Sequence, residues 1–238
     1  MIEPTDVIGN IRFFNCDAQE FVKEQKDNQY DAVFSDPPYG IGMSGSAGKS
    51  KKKKDKKWDE KPMQAEFFEQ QKRISKTQFI WGANHFIENL PLPQNSSCWL
   101  LWDKREGFIP ERTYADAEMC WTSLTSPIRV FRFFWDGFLQ RIKEDRIHPT
   151  QKPVSLYEWK LMKFCTTPRM DRILDPFGGS FSSAIACYNL GFPLDIIEMD
   201  AENYQKGLER FKTHVAQANI WTEVKKKAEV TQGDLFNL

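Results

Sequence analysis

Arg172-Ile173-Leu174-Asp175-Pro176-Phe177-Gly178-Gly179-Ser180 decides how this chain is read. Ile173 and Leu174 form a short apolar run, Asp175-Pro176 ends it, and Gly178-Gly179 allows the backbone a tight turn and a close approach to a ligand. From Ser180 to Tyr188 apolar residues recur at helical spacing. Strand, glycine loop and helix in that order make the nucleotide-binding half of a βαβ unit. The loop lacks the Gly-Lys-Ser/Thr ending that cradles phosphates and does not spell GxGxxG. A Gly-Gly pair of this kind also serves as a plain turn.

Leu194-Asp195-Ile196-Ile197-Glu198 reads as the next strand, closing on a carboxylate roughly twenty residues after the loop, where an acid accepts hydrogen bonds from two ribose hydroxyls. A strand-end Glu facing solvent is the plainer reading. Loop and acid together describe an adenosine-like ligand with no phosphate requirement, a description that S-adenosylmethionine meets. Much earlier, Tyr30 to Ser35 is a strand that delivers Asp36-Pro37-Pro38-Tyr39 to its tip. One carboxylate, a carbonyl preceding a residue without an N–H, and an aromatic ring suit the exocyclic amine and the face of a nucleobase. A Pro-rich turn after a core strand would look the same.

In combination these pieces resemble the amino-group DNA methyltransferases of the beta class, in which the catalytic DPPY turn precedes the cofactor loop. The matching stretches are Asp36 to Gly40, His148-Pro149-Thr150-Gln151-Lys152-Pro153, Asp175 to Ser180, and Ile196 to Asp200, with the likeness running from about Cys16 to Phe211. The resemblance implies an α/β fold, a doubly wound Rossmann-like methyltransferase sheet in circularly permuted motif order. It implies catalysis by Asp36, Pro37 and Tyr39, and S-adenosylmethionine held by Asp17, Asp36, Asp175, Phe177, Gly178, Gly179, Ser180, Glu198 and Lys152. Asp17 also reads as a helix N-cap, and one residue can do both. Phe181 departs from the family loop, where glycine is usual, and its ring is expected to narrow the cofactor's approach.

The implied reaction is direct methyl transfer to a flipped adenine N6. The amine lone pair is delocalised into the ring, so acceptors on its N–H groups are needed to make it a nucleophile. N4-cytosine methylation poses the same problem, but members acting on cytosine more often carry Ser in place of Asp36. A catalytically weak nucleic-acid-binding subunit is a third reading. Cytosine C5 chemistry would call for a Cys nucleophile, and none of Cys16, Cys98, Cys120, Cys165 or Cys187 stands in such a motif.

The 238 residues, 40% of them hydrophobic, suffice for one substantial core. Formal net charge is zero, so attraction to double-stranded DNA must come from local clusters. Seven lysines against one acid lie between Lys49 and Lys57, in a basic loop at about 41–60. Lys51, Lys52, Lys53 and Lys54 there are candidates for phosphate contact, though such a run is most often a solvated loop. Arg129, Arg132 and Arg141 lie among aromatics in the place of a short target-recognition segment at about 125–147, whose brevity fits a compact footprint or a homodimer. An amphipathic strand would show the same alternation.

Apolar periodicity also gives helices at Asn84 to Leu90, Val154 to Phe164 and Ala201 to about Ala218, within a single domain of residues 1–218. The tail, 219–238, reads as loosely attached. Its Gln232-Gly233-Asp234-Leu235-Phe236 resembles a sliding-clamp-binding peptide, with Gly233 a departure. Wide Cys spacing and three His give no metal site, and the lack of a long apolar segment leads to the expectation of a cytoplasmic protein without membrane insertion.

Overall fold

The structure is a computed structural model that describes residues 2–41, 59, 61–106, 115–136, 139–140, 144, 146–148, 150–165 and 172–235, with backbone alone for 136, 139–140, 219 and 221–235. In chain order the elements are β1 (Asp6–Ile8), β2 (Ile11–Phe14), α1 (Ala18–Glu24), β3 (Tyr30–Ser35), α2 (Ala65–Ile74), β4 (Ser75–Trp81), β5 (Trp99–Asp103), β6 (Ala117–Thr122), β7 (Arg129–Arg132), β8 (Trp135–Asp136), β9 (Leu139–Gln140), α3 (Val154–Phe164), β10 (Ile173–Asp175), α4 (Ser182–Leu190), β11 (Leu194–Ile197) and α5 (Ala201–Leu235).

Nine strands form one sheet in the order β1-β2-β11-β10-β3-β4-β6-β5-β7, and β8 and β9 make a separate hairpin. The five strands from β2 to β4 are mutually parallel, whereas β1 and β6 run against their neighbours. Parallel strands covered by helices on both faces lose the polar-apolar alternation of a half-exposed sheet. In β3, Ala32 and Phe34 enter the core under α3, α4 and α5, while Val33 enters the opposite core with residues of α1 and α2. Phe13 and Phe14, Ile173 and Leu174, and Ile196 and Ile197 divide between the two cores in the same way. Most described Trp rings serve this packing: Trp81, Trp102 and Trp121 are fully buried.

From β3 the chain passes through α2 on one face to β4, and from β10 through α4 on the other face to β11. The adjacent strands β3 and β10 therefore flank the switch point, where connections diverge and leave a crevice outside the carboxyl ends. Register across β2, β11, β10 and β3 is tied by a buried acid. Asp195 of β11 accepts from Arg12 Nε at 2.7 Å and NH2 at 2.5 Å, from Arg172 NH1 at 2.7 Å, and from the Tyr30 hydroxyl at 2.9 Å.

Several expectations need correction. Asn84 to Leu90 is not one helix but two 3-10 turns, Ala83–His85 and Ile87–Asn89, because Phe86 at φ −149° breaks the spiral and Pro91 prevents continuation. α2 lies in a stretch where sequence patterning offered no element. Besides Phe67, Phe68 and Ile74 its buried side includes Gln71, whose Nε2 donates to Ser35 Oγ at 2.9 Å. α5 runs to Leu235, through the boundary expected at 218, so Gln232 to Leu235 follow a helical course. Phe236 lies outside the described residues.

Phe181 does not stand in the cofactor's path. It takes the left-handed conformation (φ 60°) at the N-cap of α4, fully buried, with its ring 5.3 Å from Phe13 and 5.7 Å from Tyr204, centroid to centroid. Gly207 of α5 makes the room, since a Cβ there would lie 2.9 Å from the ring and 3.1 Å from the Gly179 carbonyl. Alanine is the better helix former by about 1 kcal/mol, but overpacking costs about 1 to 3 kcal/mol. Gly207→Ala should therefore destabilise the fold, and Phe181→Ala in the same chain should absorb part of that loss. Urea unfolding of the two single variants and the double variant checks this; additive losses would show that the two positions do not share one space.

Candidate active site

Asp17, Asp36, Asp175 and Glu198 all follow or end neighbouring parallel strands: β2, β3, β10 and β11. Residues far apart in the chain thus share one edge of the sheet. At the β2 tip, Asp17 caps α1, with Oδ1 accepting from Gln19 N at 2.6 Å and Glu20 N at 3.3 Å. At the β10 tip, Asp175 is buried, with Oδ1 accepting from Phe177 N at 3.0 Å and Oδ2 from the Ser183 hydroxyl at 2.5 Å. Burial pushes its carboxyl up to about 6 despite those two bonds.

The glycine loop is bonded to the β11 acid. Gly179 donates to Glu198 Oε2 at 2.9 Å and Asp200 N to Oε1 at 2.8 Å, while Gly178 N reaches Ile197 O at 2.7 Å. Burial raises the Glu198 pKa against these two bonds. Gly179 has φ 51°, and a Cβ there would meet nothing closer than the His148 ring at 3.8 Å. The loop and the HPTQKP stretch are thus neighbours, and the missing side chain leaves a shallow cradle between them. Ser180 is buried, with its carbonyl accepting from Arg210 NH1 at 2.7 Å. Arg210 NH2 also meets Glu144 Oε2 at 2.8 Å, and Glu144 Oε1 accepts from Val154 N at 3.2 Å, fastening the start of α3 to the loop. The Phe177 ring packs against Phe67 of α2.

The turn after β3 is more heavily charged than its sequence indicates. Tyr39 donates to Asp36 Oδ1 at 2.7 Å, and Lys152 Nζ lies 2.6 Å from Asp36 Oδ2, 3.1 Å from the Tyr39 hydroxyl and 3.1 Å from Glu118 Oε2. The Lys152 side chain is 3% exposed. Burial opposes its charge, yet Asp36 and Glu118 outweigh that and raise its pKa. Glu118 of β6 also pairs with Lys104. Burial alone would push Glu118 up; the two lysines reverse the sign and hold it at about 2. Lys152 thus stands at the Asp36–Tyr39 turn.

Tyr39 rests on the Gly82 backbone, where a Cβ would come within 2.1 Å of its ring, and the exposed His85 stacks on it at 5.2 Å. Pro37 is buried beneath the turn. Gly40 N donates to the buried Asp59 at 2.8 Å, which anchors the far side. Deeper in the core, Lys160 of α3 is fully buried, its Nζ 4.1 Å from the Phe34 centroid and 4.4 Å from that of Tyr157, with no hydrogen-bond partner among the described residues. Burial lowers its pKa to about 8.

Sequence reading missed Glu118, Lys104, Arg210, Glu144, Asp59 and Lys160. Lys160 carried the clearest signal: a charge on the apolar stripe of Leu156, Tyr157 and Leu161. Glu118 was hinted at only by its place in the apolar run Met119-Cys120-Trp121.

The nucleic-acid candidates do not converge in the same way. Arg129 and Arg132 are exposed on the edge strand β7, but an odd separation along a strand puts them on opposite faces. Arg132, 3.7 Å from Asp103, lies at the same end of the sheet as Asp36; Arg129 starts the strand at the other end. Lys51, Lys52, Lys53, Lys54 and Arg141 lie outside the described residues.

No family model matches the chain. A curated relative, the Type II methyltransferase M2.MboI of Moraxella bovis, is 26% identical over 225 residues, covering 77% of this chain and 80% of the relative. Among solved structures, the M1.HpyAVI-SAM complex is matched with a TM-score of 0.54 at 21% identity, over 84% of this chain and 98% of that one. The cytosine-N4-specific PvuII DNA methyltransferase gives 0.59 at 12% identity, over 88% and 89%. The chain is thus similar in sequence to one DNA methyltransferase and in fold to others. These structural likenesses establish the sheet architecture. No described helix is long and apolar enough to cross a membrane.

The state of Asp175 makes a pH test. Between the ordinary carboxylate pKa and about 6 the unfolded chain releases a proton that the folded chain keeps, so this group's contribution to stability falls as pH rises through that window. Above it the penalty is constant, at about 3 kcal/mol. Asp175→Asn should accordingly be more stable than the parent at about pH 8, with the gain vanishing toward pH 4. Denaturant unfolding across that range reads the effect, and a pH-independent difference would contradict it.

Proposed function

We propose that the protein is a site-specific DNA adenine N6-methyltransferase that uses S-adenosylmethionine, with its catalytic turn ahead of the cofactor loop in circularly permuted order. The single observation carrying this reading is the placement of Asp36 and Tyr39 at the carboxyl end of β3, directly beside the β10 glycine loop, with Glu198 on the next strand. The residues fit the cofactor: Gly179 offers a backbone cradle without a side chain, and Glu198 and Asp17 offer carboxylates for ribose and adenine. When bound, that cofactor supplies a methyl group on a sulfonium.

The chain's own residues answer the remaining problem, a weakly nucleophilic amine. Asp36 and the Pro37 carbonyl accept the two N–H groups and localise the lone pair, while the Tyr39 ring orients the base. His85, exposed and joined through a short 3-10 turn, yields the Tyr39 face to the incoming base. With the methyl group supplied by the cofactor and the bonding pair retained on its own sulfur, Asp36 would take the surplus proton from the nitrogen. Double-stranded DNA is the substrate, approached with help from the Lys49–Lys57 run and Arg132.

Expression in a host lacking adenine methylation, followed by mapping of modified bases, should reveal N6-methyladenine in one sequence context. N4-methylcytosine or unmodified DNA would overturn the adenine assignment. Asp36→Ala should abolish transfer while the fold persists, since losing a charged acceptor costs about 1.5 to 3 kcal/mol and misalignment adds to it. Near-normal turnover by the purified variant would refute the role. Replacing the seven lysines of Lys49–Lys57 by Ser should weaken binding to cognate and unrelated duplexes alike and flatten the salt dependence. Titrations at several salt concentrations measure this, and an unaltered slope would reduce the run to a solvated loop.

A further inference from the structure

Both oxygens of Asp36 are engaged, Oδ1 by Tyr39 and Oδ2 by Lys152, so the acceptor proposed for the target amine already carries a cation. The same ammonium is within 3.1 Å of a second carboxylate, Glu118, which stands on β6, across β4 from the catalytic turn. We propose that Glu118 is a positioning residue that takes Lys152 over from Asp36 when the amine of the target base arrives, leaving Asp36 a full anion at the reacting nitrogen. The inference rests on the methyltransferase reading above and adds to it a residue on the far half of the sheet.

The geometry favours a hand-over. Moving Lys152 wholly onto Glu118 requires a small swing of one Nζ between two acids it already touches, with no chain movement. Charge is balanced throughout, because Lys104 supplies a second cation to Glu118, so Asp36, Glu118, Lys152 and Lys104 sum to zero before and after. The Lys152 stem is confined by Trp81, whose ring centroid lies 5.6 Å from Nζ, and the Tyr39 ring is equally distant. A carboxylate neutralised by an ammonium is a weaker acceptor than a free one, so freeing Asp36 strengthens its pull on the amine hydrogens. The other ionisable neighbours facing this cluster are Tyr157 and Lys160 from α3, Cys120 from β6 and Asp175 from β10.

Glu118→Gln keeps the shape and removes the receiving charge. Lys152 should then remain on Asp36, and kcat should fall about ten- to a hundred-fold with little change in KM for the cofactor, the loss expected when a charge-assisted contact is missing only in the transition state. With one acid partner instead of two, the buried Lys152 should lose its proton at lower pH, so the variant's kcat should climb on the alkaline side where the parent's is flat. Glu118→Asp should restore part of the activity. A loss equal at every pH, or no loss, would overturn the proposal. Lysine 15N NMR of the unliganded protein gives a second readout: the Lys152 ammonium should titrate at lower pH in Glu118→Gln than in the parent. An unshifted titration would refute the hand-over even if the parent transfers no methyl, an outcome that by itself would instead refute the function proposed above.

Discussion

One buried carboxylate fixes the frame on which the site stands. Asp195 gathers Arg12, Arg172 and Tyr30, and so ties β2, β11, β10 and β3 toward the ends opposite the carboxyl tips that carry the candidate site. A one-residue slip of any of these strands would turn its side chains to the wrong face and move its tip by about 3.3 Å. The tips carry Asp17, Glu198, Asp175 and Asp36, so register becomes site geometry. The two arginines remain partly in water, with side chains 36% and 27% exposed, which lowers the desolvation cost of the acid they surround.

At the other end of the strands, acids are treated unequally. Asp175 is buried and Glu198 half-buried, each bonded to hydroxyl or backbone donors, and desolvation raises both. Glu118, half-buried with its side chain 21% exposed, faces two lysines, and the balance reverses. Coulombic pairing in a poorly solvated site exceeds what neutral dipoles provide. The crevice is consequently divided: hydrogen-bonding acids on the side of the glycine loop, chemically suited to neutral donors, and a charged cluster of Asp36, Lys152, Glu118 and Lys104 on the side of the β3 turn.

How much was legible follows from what each feature depends on. Tyr30–Ser35 and Val154–Phe164 were readable to the residue because strand and helix there coincide with local pattern and Pro boundaries. The DPPY turn and the glycine loop were readable because their chemistry lies in consecutive residues. Asn84–Leu90 misled because Phe86 and Leu90 are spaced as on a helix, yet they are buried from two separate turns. α2 escaped notice because part of its buried face is Gln71, polar and paired to Ser35. Glu118 and Lys104 could not be assigned from sequence, since their significance arises only where the antiparallel pairing of β5 and β6 sets Lys104 against Glu118, which in turn meets Lys152.

Phe181 shows why a motif departure has to be read in three dimensions. In the left-handed conformation its side chain packs into the core behind the loop, against Phe13 and Tyr204. That conformation costs a non-glycine residue about 1 to 2 kcal/mol. Burying an aromatic ring between Phe13 and Tyr204 contributes about 1.5 to 3 kcal/mol, enough to offset it. The space comes from Gly207, on a helix where glycine is otherwise unfavourable, and from Gly178, where a Cβ would also strike the ring. The loop therefore keeps its open face because the Phe181 ring lies behind it, in space left by Gly178 and Gly207.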